Sequence, residues 1–487
     1  MEKEQYANLD VVRKQEQGRT DCPSYEGNSQ SRRAKSRMSE VLDPKNSIEE
    51  KRAIPDVAGE SAKLEKVGPF TSLRIRNFRF LFGGSLLSNV AGWMQGIGLN
   101  WLVYNITGSG TILASINTVL SATSLGMIPL SGVLVDRVSH RRLMFMQNIW
   151  LFIITLGLGF VLLTGHAKVS YLFVFAFLCG MTQTLNMTLG QVVIFDLVPR
   201  NETPNAIAIV ETGAYLTRSF GPAIGGLLIL WFGPGGNFLF EAGAFALIIL
   251  TITQLLFPVQ RSASVRYSSF QNIREGLKYV AKQRVTRTFM LMQSILSLFT
   301  IPIVTILPPI YAVKVFHGGP DILGVLLASI GVGGIFGGVV TAFLSRIERW
   351  GLVQLASIFL LCLSLLAFAF ATKLWFALLF LSLAGFFEAI SLSTNQTLFQ
   401  LSIPNELRGR VTSVVNLNIA LSLLGSLMAG VGSDLLGGPK MITIILAGMA
   451  GGICILILLM SPTVRNYRLS QGIASNPERK SGGTESK

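Results

Sequence analysis

The chain has 487 residues, of which 50% are hydrophobic and only 14% are charged, and its formal net charge is +15. Soluble globular proteins carry about 25% charged residues, so this composition excludes an ordinary soluble domain. The basic residues lie mostly in short connections between apolar stretches, which fits the positive-inside rule for membrane proteins better than nucleic-acid binding. The four cysteines and three histidines show no spacing typical of a disulfide framework or a metal site.

Residues 1–70 and 462–487 are polar and mixed in charge, which predicts two disordered cytoplasmic tails rather than a cleaved signal. Between them lie twelve apolar stretches, each long enough for the roughly 20 helical residues that cross a bilayer. The first six form an N-terminal bundle within residues 71–258, at 78–104, 111–133, 143–165, 169–194, 207–231 and 236–258.

A predicted linker at 259–288 separates the two halves. Within it Phe270, Ile273, Leu277 and Val280 recur at helical spacing among cations. This pattern predicts an amphipathic helix on the inner membrane face, with a calmodulin-type partner site as the alternative. The second six spans form a C-terminal bundle within residues 289–461, at 289–312, 321–344, 352–371, 374–399, 411–434 and 440–461.

The distribution of bases predicts the orientation in the membrane. With both termini in the cytoplasm, the inner connections hold eighteen Lys or Arg residues, and the outer connections hold four, namely Lys168, Lys314, Lys373 and Lys440. The positive-inside rule therefore predicts a multi-pass plasma-membrane protein with both termini cytoplasmic, and it favours an even number of spans.

The two halves contain a degenerate internal repeat. The matched pairs are Gly132 and Gly338, Gly180 and Gly385, Gln183 and Glu388, Pro199 and Pro404, Gly221 and Gly425, and Gly226 and Gly430. A repeat of about half the chain in membrane-type sequence predicts two related bundles, the layout of many secondary transporters.

The connection between the second and third spans resembles the signature loop of the major facilitator superfamily. It keeps Gly132, Leu134, Asp136, Arg137, Arg141 and Arg142, and it has Ser139 where the family usually has glycine. The resemblance implies an all-α membrane fold of twelve transmembrane helices, in two six-helix bundles related by pseudo-twofold symmetry.

In that family the loop latches the two bundles together on the cytoplasmic side in one state. Gly132, Asp136, Arg137 and Arg141 are therefore expected to form this latch, with Gly132 permitting close helix contact. The second-half copy has Ala342 in place of the aspartate, so the latch is expected to be asymmetric. The alternative is a simple positive-inside loop.

Gly221-Pro222-Ala223-Ile224-Gly225-Gly226 in the fifth span resembles the glycine-proline motif of family members that export substrates in exchange for protons. Small residues allow close helix packing and proline permits a bend, so Gly221, Pro222, Gly225 and Gly226 are expected to lie at a rocking interface or in a plain packing seam. Arg76-Asn77-Phe78-Arg79, residues 101–109 and residues 404–411 resemble the branch that contains siderophore exporters of the enterobactin-exporter type and macrolide-efflux proteins.

Ionisable residues inside a bilayer are costly, and each calls for a partner or a function. Four were identified in the predicted spans: Glu211, Arg218, Glu241 and Glu388. Glu241 lies near the outer end of the sixth span and is expected to reach interfacial water. Glu388 lies near the middle of the tenth span, which the family resemblance places on the central cavity, opposite the repeat mate Gln183.

We expect Glu388 to gain and lose the coupling proton or to bind a cationic substrate. The alternative is a protonated glutamate that is hydrogen-bonded between helices. Arg218 lies seven residues, or about 10.5 Å, from Glu211 and cannot depend on that residue alone. It is expected to point into the cavity, or to meet Glu388 or a backbone carbonyl, either for proton coupling or as a structural ion pair.

Uncharged polar residues on the expected cavity-lining spans are candidates for a substrate path: Ser85, Asn89, Asn100, Asn186, Asn395 and Gln396. Taken singly, each is better explained by an interhelical hydrogen bond. The glycine-rich stretch 331–338 lacks a following Lys-Ser or Lys-Thr, so it is interpreted as helix packing and not as a phosphate-binding loop.

The sequence thus predicts a monomeric transporter that works by alternating access and exports a small amphipathic compound in exchange for protons. Its expected partners are the small-molecule substrate, protons and the lipid bilayer, without nucleic acid, cofactor or metal. Proton symport for uptake, a lysolipid flippase and a non-transporting membrane sensor are the alternatives. An enzyme is not expected, because no nucleophile and base occur at a recognisable spacing.

Overall fold

The computed structural model describes residues 71–199, 202–255, 277–344, 347–403 and 418–461. In these ranges the chain is almost entirely helical and contains no strand. The two predicted tails and residues 259–276 of the predicted linker lie outside the described residues.

The described part of the first half begins with a short 3₁₀ turn at Thr71–Arg74. Its helices are α1 (Arg76–Thr107), α2 (Gly110–Gly126), α3 (Ile128–Arg137), α4 (His140–Leu163), α5 (Val169–Leu197) and α6 (Thr203–Gln254). α2 and α3 together occupy the predicted second span and meet at a bend of 47°.

α6 covers the predicted fifth and sixth spans. Its only non-helical residue is Gly233, where φ is 71°. Because a left-handed backbone favours glycine, Gly233 is the residue at which the chain can turn between the two spans. The break in dihedral angles therefore lies at Gly233, within the connection predicted between the fifth and sixth spans, and Pro222 keeps helical dihedral angles.

The described part of the second half contains a first span that is interrupted. Its elements are α7 (Arg284–Ile295), a π-helical turn (Leu296–Thr300), α8 (Ile301–Thr305), α9 (Pro308–Lys314), α10 (Pro320–Leu344), α11 (Trp350–Phe370), α12 (Leu374–Leu401), α13 (Asn418–Leu435) and α14 (Pro439–Met460). Pro302 lies two residues after the end of the π-helical turn, and because proline has no backbone N–H it cannot donate an α-helical hydrogen bond there.

The end of the predicted linker is helical at residues 277–282. Val280 is buried there against Ile403, at the end of α12. Tyr279 donates its hydroxyl to Ser402 O at 3.3 Å. These contacts attach the last turn of the linker to the second half.

In the described part of the chain, eight helices are long and apolar enough to span a bilayer, or nine if the bent pair α2 and α3 counts as one span. That count treats α6 as a single helix, although its 52 residues would extend about 78 Å, more than twice the thickness of the hydrocarbon core. The fold class is confirmed, whereas the number of twelve spans stays a prediction.

Repeated glycines make equivalent contacts in the two halves. A Cβ atom at Gly180 of α5 would clash with Leu120 O of α2, and one at Gly385 of α12 would clash with Ile330 O of α10. In each half, therefore, glycine allows the fourth helical span to approach the second at backbone distance.

A second matched pair of glycines also makes equivalent contacts. A Cβ at Gly221 of α6 would lie 2.7 Å from Trp93 Cβ of α1. A Cβ at Gly425 of α13 would clash with Leu298 O in the π-helical turn. The fifth span thus packs on the first as the eleventh packs on the seventh, and the sequence repeat is a repeat of helix contacts.

The boundary between the halves is closely packed at the predicted external side. A Cβ at Gly226 of α6 would lie 2.6 Å from Pro320 O at the start of α10. A Cβ at Gly110 of α2 would lie 2.8 Å from Gly430 O of α13. Two helix pairs, α6 with α10 and α2 with α13, therefore join the halves.

The predicted cytoplasmic side differs. A Cβ at Gly132 or at Gly338 would meet no described atom of another element within 4 Å. The expectation that Gly132 serves a close helix contact is therefore wrong for this conformation. Among the described residues, close glycine contacts between the halves lie at the predicted external ends and near the middle of the spans, which fits a transporter closed on the external side.

Candidate functional site

An ion pair joins the two halves within the predicted membrane. Arg218 Nη2 of α6 donates to both carboxylate oxygens of Glu388 on α12, each at 2.9 Å. The side chains are 26% and 10% exposed, respectively. Either charge alone would be poorly solvated at this buried position, so separation of the two side chains is costly. The pair therefore ties α6 of the first half to α12 of the second half.

The charges of this pair break the symmetry of the repeat. Glu388 corresponds to Gln183 of α5, which accepts a hydrogen bond from Ser124 Oγ at 3.1 Å within the first half. Arg218 corresponds to Ser422 of α13. Since the mates of both residues are uncharged, the repeated fold does not itself require the ion pair, and a role in function is favoured.

Glycines of α10 bring the two helices of the pair close together. A Cβ at Gly331 would lie 2.7 Å from Arg218 O and would clash with Ser219 Cα. A Cβ at Gly333 would clash with Ser382 O of α12. The glycine-rich stretch is thus helix packing, as predicted, and it lies between the backbones that carry Arg218 and Glu388.

The glycine-proline motif packs on two neighbours. Gly221 faces Trp93 of α1, and a Cβ at Gly225 would lie 2.5 Å from Ile97 Cγ2 of the same helix. A Cβ at Gly324 of α10 would lie 2.9 Å from Pro222 O. One face of the motif therefore holds the first half together, and the other face lies at the boundary between the halves.

The predicted latch loop connects α3 and α4. Arg141 Nη2 donates to Thr253 O near the end of α6 at 2.9 Å, a contact within the first half. Asp136 and Arg137 are exposed. Residues 404–417, which include the start of the predicted eleventh span and the connection before it, lie outside the described residues, so the latch between the halves stays a prediction.

Most of the chain matches the profile of one protein family. A profile of the transmembrane secretion effector family, a branch of the major facilitator superfamily, matches residues 67–478. The chain belongs to this family. It is therefore a membrane transporter and not an enzyme, as the latch loop and the glycine-proline motif predicted.

Relatives in the family cover most of the chain. The staphyloferrin A transporter of Staphylococcus aureus is 25% identical over 365 residues, which span 74% of this chain and 90% of that protein. The multidrug efflux pump Tap of Mycolicibacterium fortuitum is 25% identical over 346 residues, 69% of this chain and 84% of Tap. The enterobactin exporter EntS of Salmonella typhimurium is 25% identical over 407 residues, 80% of this chain and 94% of EntS.

Solved structures of the superfamily share the fold. A bacterial homologue of the human lysosomal transporter Spinster, solved in an inward-facing and unoccupied conformation, has a TM-score of 0.64 at 13% identity and covers 80% of this chain and 98% of its own. The nucleoside transporter NupG has a TM-score of 0.64 at 15% identity, covering 78% of this chain and all of its own. The Escherichia coli fucose:proton symporter FucP has a TM-score of 0.52 at 17% identity, covering 79% and 98%.

In this family member the other predicted site residues are dispersed. Glu211 is exposed two turns before Arg218 on α6. Gln183 and Asn186 of α5 are exposed, and Asn89 of α1 is half-buried. None of these side chains makes a hydrogen bond to the ion pair among the described contacts.

Two predicted cavity-lining asparagines make interhelical hydrogen bonds instead. Asn100 of α1 accepts from Asn117 Nδ2 of α2 at 2.9 Å. Asn395 of α12 is 2% exposed, and its Nδ2 donates to Gln293 Oε1 of α7 at 3.0 Å. For Asn395, therefore, the interhelical hydrogen bond that the sequence favoured over a substrate path is the one present in this conformation.

Asp434 was not among the predicted site residues, yet it joins the halves. It accepts hydrogen bonds from Ser109 Oγ at 2.7 Å, Gly110 N at 2.9 Å and Thr111 N at 2.9 Å. An acid at this place satisfies free N–H groups and faces the positive end of the α2 dipole. Ser109 carried a local capping signal, but no local pattern connects it to an acid 325 residues later.

The position predicted for Glu241 is also wrong. The residue was expected to reach interfacial water, but its exposed fraction is 0%. The rotation of α6 about its axis points the side chain into the first bundle, toward Gln95 of α1 and Cys179 of α5. Sequence position gives the depth of a residue along a helix but not the face on which it lies.

Proposed function

We propose that this transporter exports a small amphipathic compound across the plasma membrane in exchange for protons, with both termini in the cytoplasm. Support comes from the relatives, since Tap is a multidrug efflux pump and EntS exports enterobactin. The surplus of basic residues on alternate connections supports the orientation.

The ion pair of Arg218 and Glu388 carries the proposal for proton coupling. Protonation of Glu388 removes its negative charge and with it the ionic attraction to Arg218. Because the pair ties α6 to α12 across the two halves, its loss frees the halves to move against each other. A proton and a substrate that compete for this site are not carried together, which is the requirement for exchange.

The transport cycle follows from this competition. In the conformation with the external side closed, Glu388 is ionised and paired with Arg218, and the site receives substrate from the cytoplasm. Movement of the predicted bundles at 71–258 and 289–461 then exposes the site to the exterior. There a proton binds Glu388 and substrate leaves. The protonated transporter then returns and releases the proton to the cytoplasm, and Glu388 pairs with Arg218 again. One chain contains both partners of the pair, so the proposed working unit is the monomer.

Everted membrane vesicles from cells that express the protein test this direction of transport. A panel of amphipathic fluorescent dyes, including ethidium, is offered from the exposed cytoplasmic face while an inward-acid pH gradient is imposed. We expect at least one dye to accumulate in vesicles with the transporter and not in vesicles without it. We also expect accumulation to stop when nigericin collapses the pH gradient.

Proton symport for uptake is the alternative, because the fold also occurs in the proton symporter FucP. Symport predicts the opposite result. Accumulation in right-side-out vesicles with an acidic exterior, and none in everted vesicles, would contradict export. Accumulation of dye that survives collapse of the gradient would contradict proton coupling.

A further inference from the structure

A buried glutamate of the first bundle has no hydrogen-bond donor on its carboxyl oxygens among the described residues. Glu241 of α6 is 0% exposed, and neither of its carboxyl oxygens has a hydrogen-bond partner among the described residues. Asn237, one turn earlier on the same face, is also 0% exposed, and its Oδ1 likewise has no partner there. A buried carboxylate without a donor or counter-ion is strongly disfavoured, so the site favours a bound proton.

The amides beside Glu241 donate elsewhere. Asn237 Nδ2 donates to Met94 O at 3.1 Å. Gln95 Nε2 of α1 donates to Cys179 Sγ of α5 at 3.2 Å, although Gln95 lies close enough to interact with the Glu241 carboxyl. Thiol sulfur is a weak acceptor, so a carboxylate competes successfully with it for this amide.

These contacts define two states of the cluster. With Glu241 protonated, Gln95 remains on Cys179. With Glu241 ionised, Gln95 turns its amide to the carboxylate, because a hydrogen bond to a charged acceptor is about twice as strong as a neutral one. Gain or loss of one proton is therefore linked to the orientation of one side chain.

Access to the site is through Gln95. Of the four side chains in the cluster it is the half-buried one, whereas Asn237 and Glu241 are fully buried and Cys179 is 4% exposed. A neighbouring titratable group among the described residues is Cys179 of α5, on which the charge of an ionised Glu241 acts. α1 contributes Gln95 and Met94, which carry no charge, and α4 has its ionisable residues only in its first turn.

We propose that Glu241 is a second proton-binding site, located in the first half and separate from Glu388, and that it exchanges its proton with the central cavity when Gln95 turns away from Cys179. The site goes beyond the coupling role of Glu388. It binds a proton whether or not the ion pair drives transport, so each proposal can fail without the other.

Infrared difference spectroscopy of the full-length protein in lipid nanodiscs, between acidic and alkaline buffer, tests proton binding without a substrate. We expect a carboxylic-acid C=O band that disappears at alkaline pH, is absent from Glu241→Gln and is present in Glu388→Gln. A Glu241→Gln spectrum identical to that of the wild type would overturn the proposal. So would a Glu241 band that persists at every pH at which the protein stays folded, because the group would then be a permanent structural acid.

A second variant tests the route and leaves the carboxyl in place. We expect Gln95→Leu to slow hydrogen–deuterium exchange of the Glu241 acid by about tenfold, the equivalent of one hydrogen bond to a charged group. Cys179→Ala is the matched control, since it removes the competing acceptor and should leave exchange as fast or faster. Exchange at the wild-type rate in Gln95→Leu would overturn the proposed route.

Discussion

Asp434 accepts a hydrogen bond from the backbone nitrogen of Gly110 at 2.9 Å, so that an acid of the second half caps a helix of the first half. Asp136 stands near the end of the predicted second span, and Asp434 stands near the end of the eleventh. In the predicted topology the two acids therefore lie near opposite faces of the membrane. Asp136 belongs to the predicted cytoplasmic latch, and Asp434 joins the halves at the predicted external side.

Replacement of Asp434 should weaken closure of the external side. Asp434→Ala leaves the first N–H groups of α2 uncapped, which costs about 1 kcal/mol for a helix N-terminus and shifts the conformational equilibrium about fivefold. Spin labels at Lys168→Cys and Lys373→Cys, both exposed at the predicted external ends, report the separation of the halves. We expect a larger population with a long distance between the labels.

Asp321→Asn is the control for this measurement, because Asp321 lies in the first turn of its own helix, α10. Its replacement should leave the distance distribution unchanged. An Asp434→Ala distribution equal to that of the wild type would show that the cap does not hold the external side closed.

Added volume at Gly430 should also open the external side. A Cβ there would clash with Gly110 O and Ala114 Cβ of α2, and backbone atoms cannot move aside as a flexible side chain can. We expect Gly430→Ala to lengthen the same label distance. Gly448→Ala of α14 is the matched control, since a Cβ at Gly448 would meet no described atom of another element within 4 Å.

The position of Arg218 should depend on Gly331. A Cβ at Gly331 would push α10 away from α6 and so separate Arg218 from Glu388. We expect Gly331→Ala to reduce proton-driven dye accumulation in everted vesicles at an unchanged amount of protein. Gly338→Ala, on the same helix but in open space, should behave as the wild type. Equal activities of the two variants would argue against control of the pair by this contact.

Loss of one partner of the ion pair should destabilise the protein more than loss of both. Breaking a buried pair leaves an uncompensated charge and costs about 3–5 kcal/mol. We expect Arg218→Gln to lower Tm, and the double variant with Glu388→Gln to recover most of the loss. Thermal unfolding of the purified variants measures this coupling, and a double variant as unstable as Arg218→Gln would show that the two charges are energetically independent.

Much of the fold could be predicted from the sequence because each membrane span requires one continuous apolar segment of sufficient length. About 20 apolar residues are needed for each span, so most predicted spans agree with the helices within a few residues. The repeat also identified Gly180 and Gly385, whose contacts with the second helical span of each half are equivalent. The break at Gly233 falls between the predicted fifth and sixth spans, whereas the dihedral angles show no break at Pro222, where the sequence permitted a bend.

The site was less accessible to prediction, because contacts between helices depend on how each helix is rotated. The depth of Glu388 in its span indicated a buried acid. For Arg218 the sequence left open the cavity, Glu388 and a backbone carbonyl, and only the rotation of α6 and α12 brings Arg218 and Glu388 together. Glu241 lies on a helix face other than the one expected. Asp434 acts on residues of the opposite half, a relationship that no local pattern contains.

Proton coupling through Glu388 is tested most directly by two assays on Glu388→Gln with one transported dye. The first measures accumulation driven by a pH gradient, and the second measures exchange of labelled for unlabelled dye without a gradient. Glutamine keeps the size of the side chain and removes its exchangeable proton, so we predict that driven accumulation is lost while exchange continues. Driven accumulation at the wild-type rate would contradict the proposal that Glu388 carries the coupling proton.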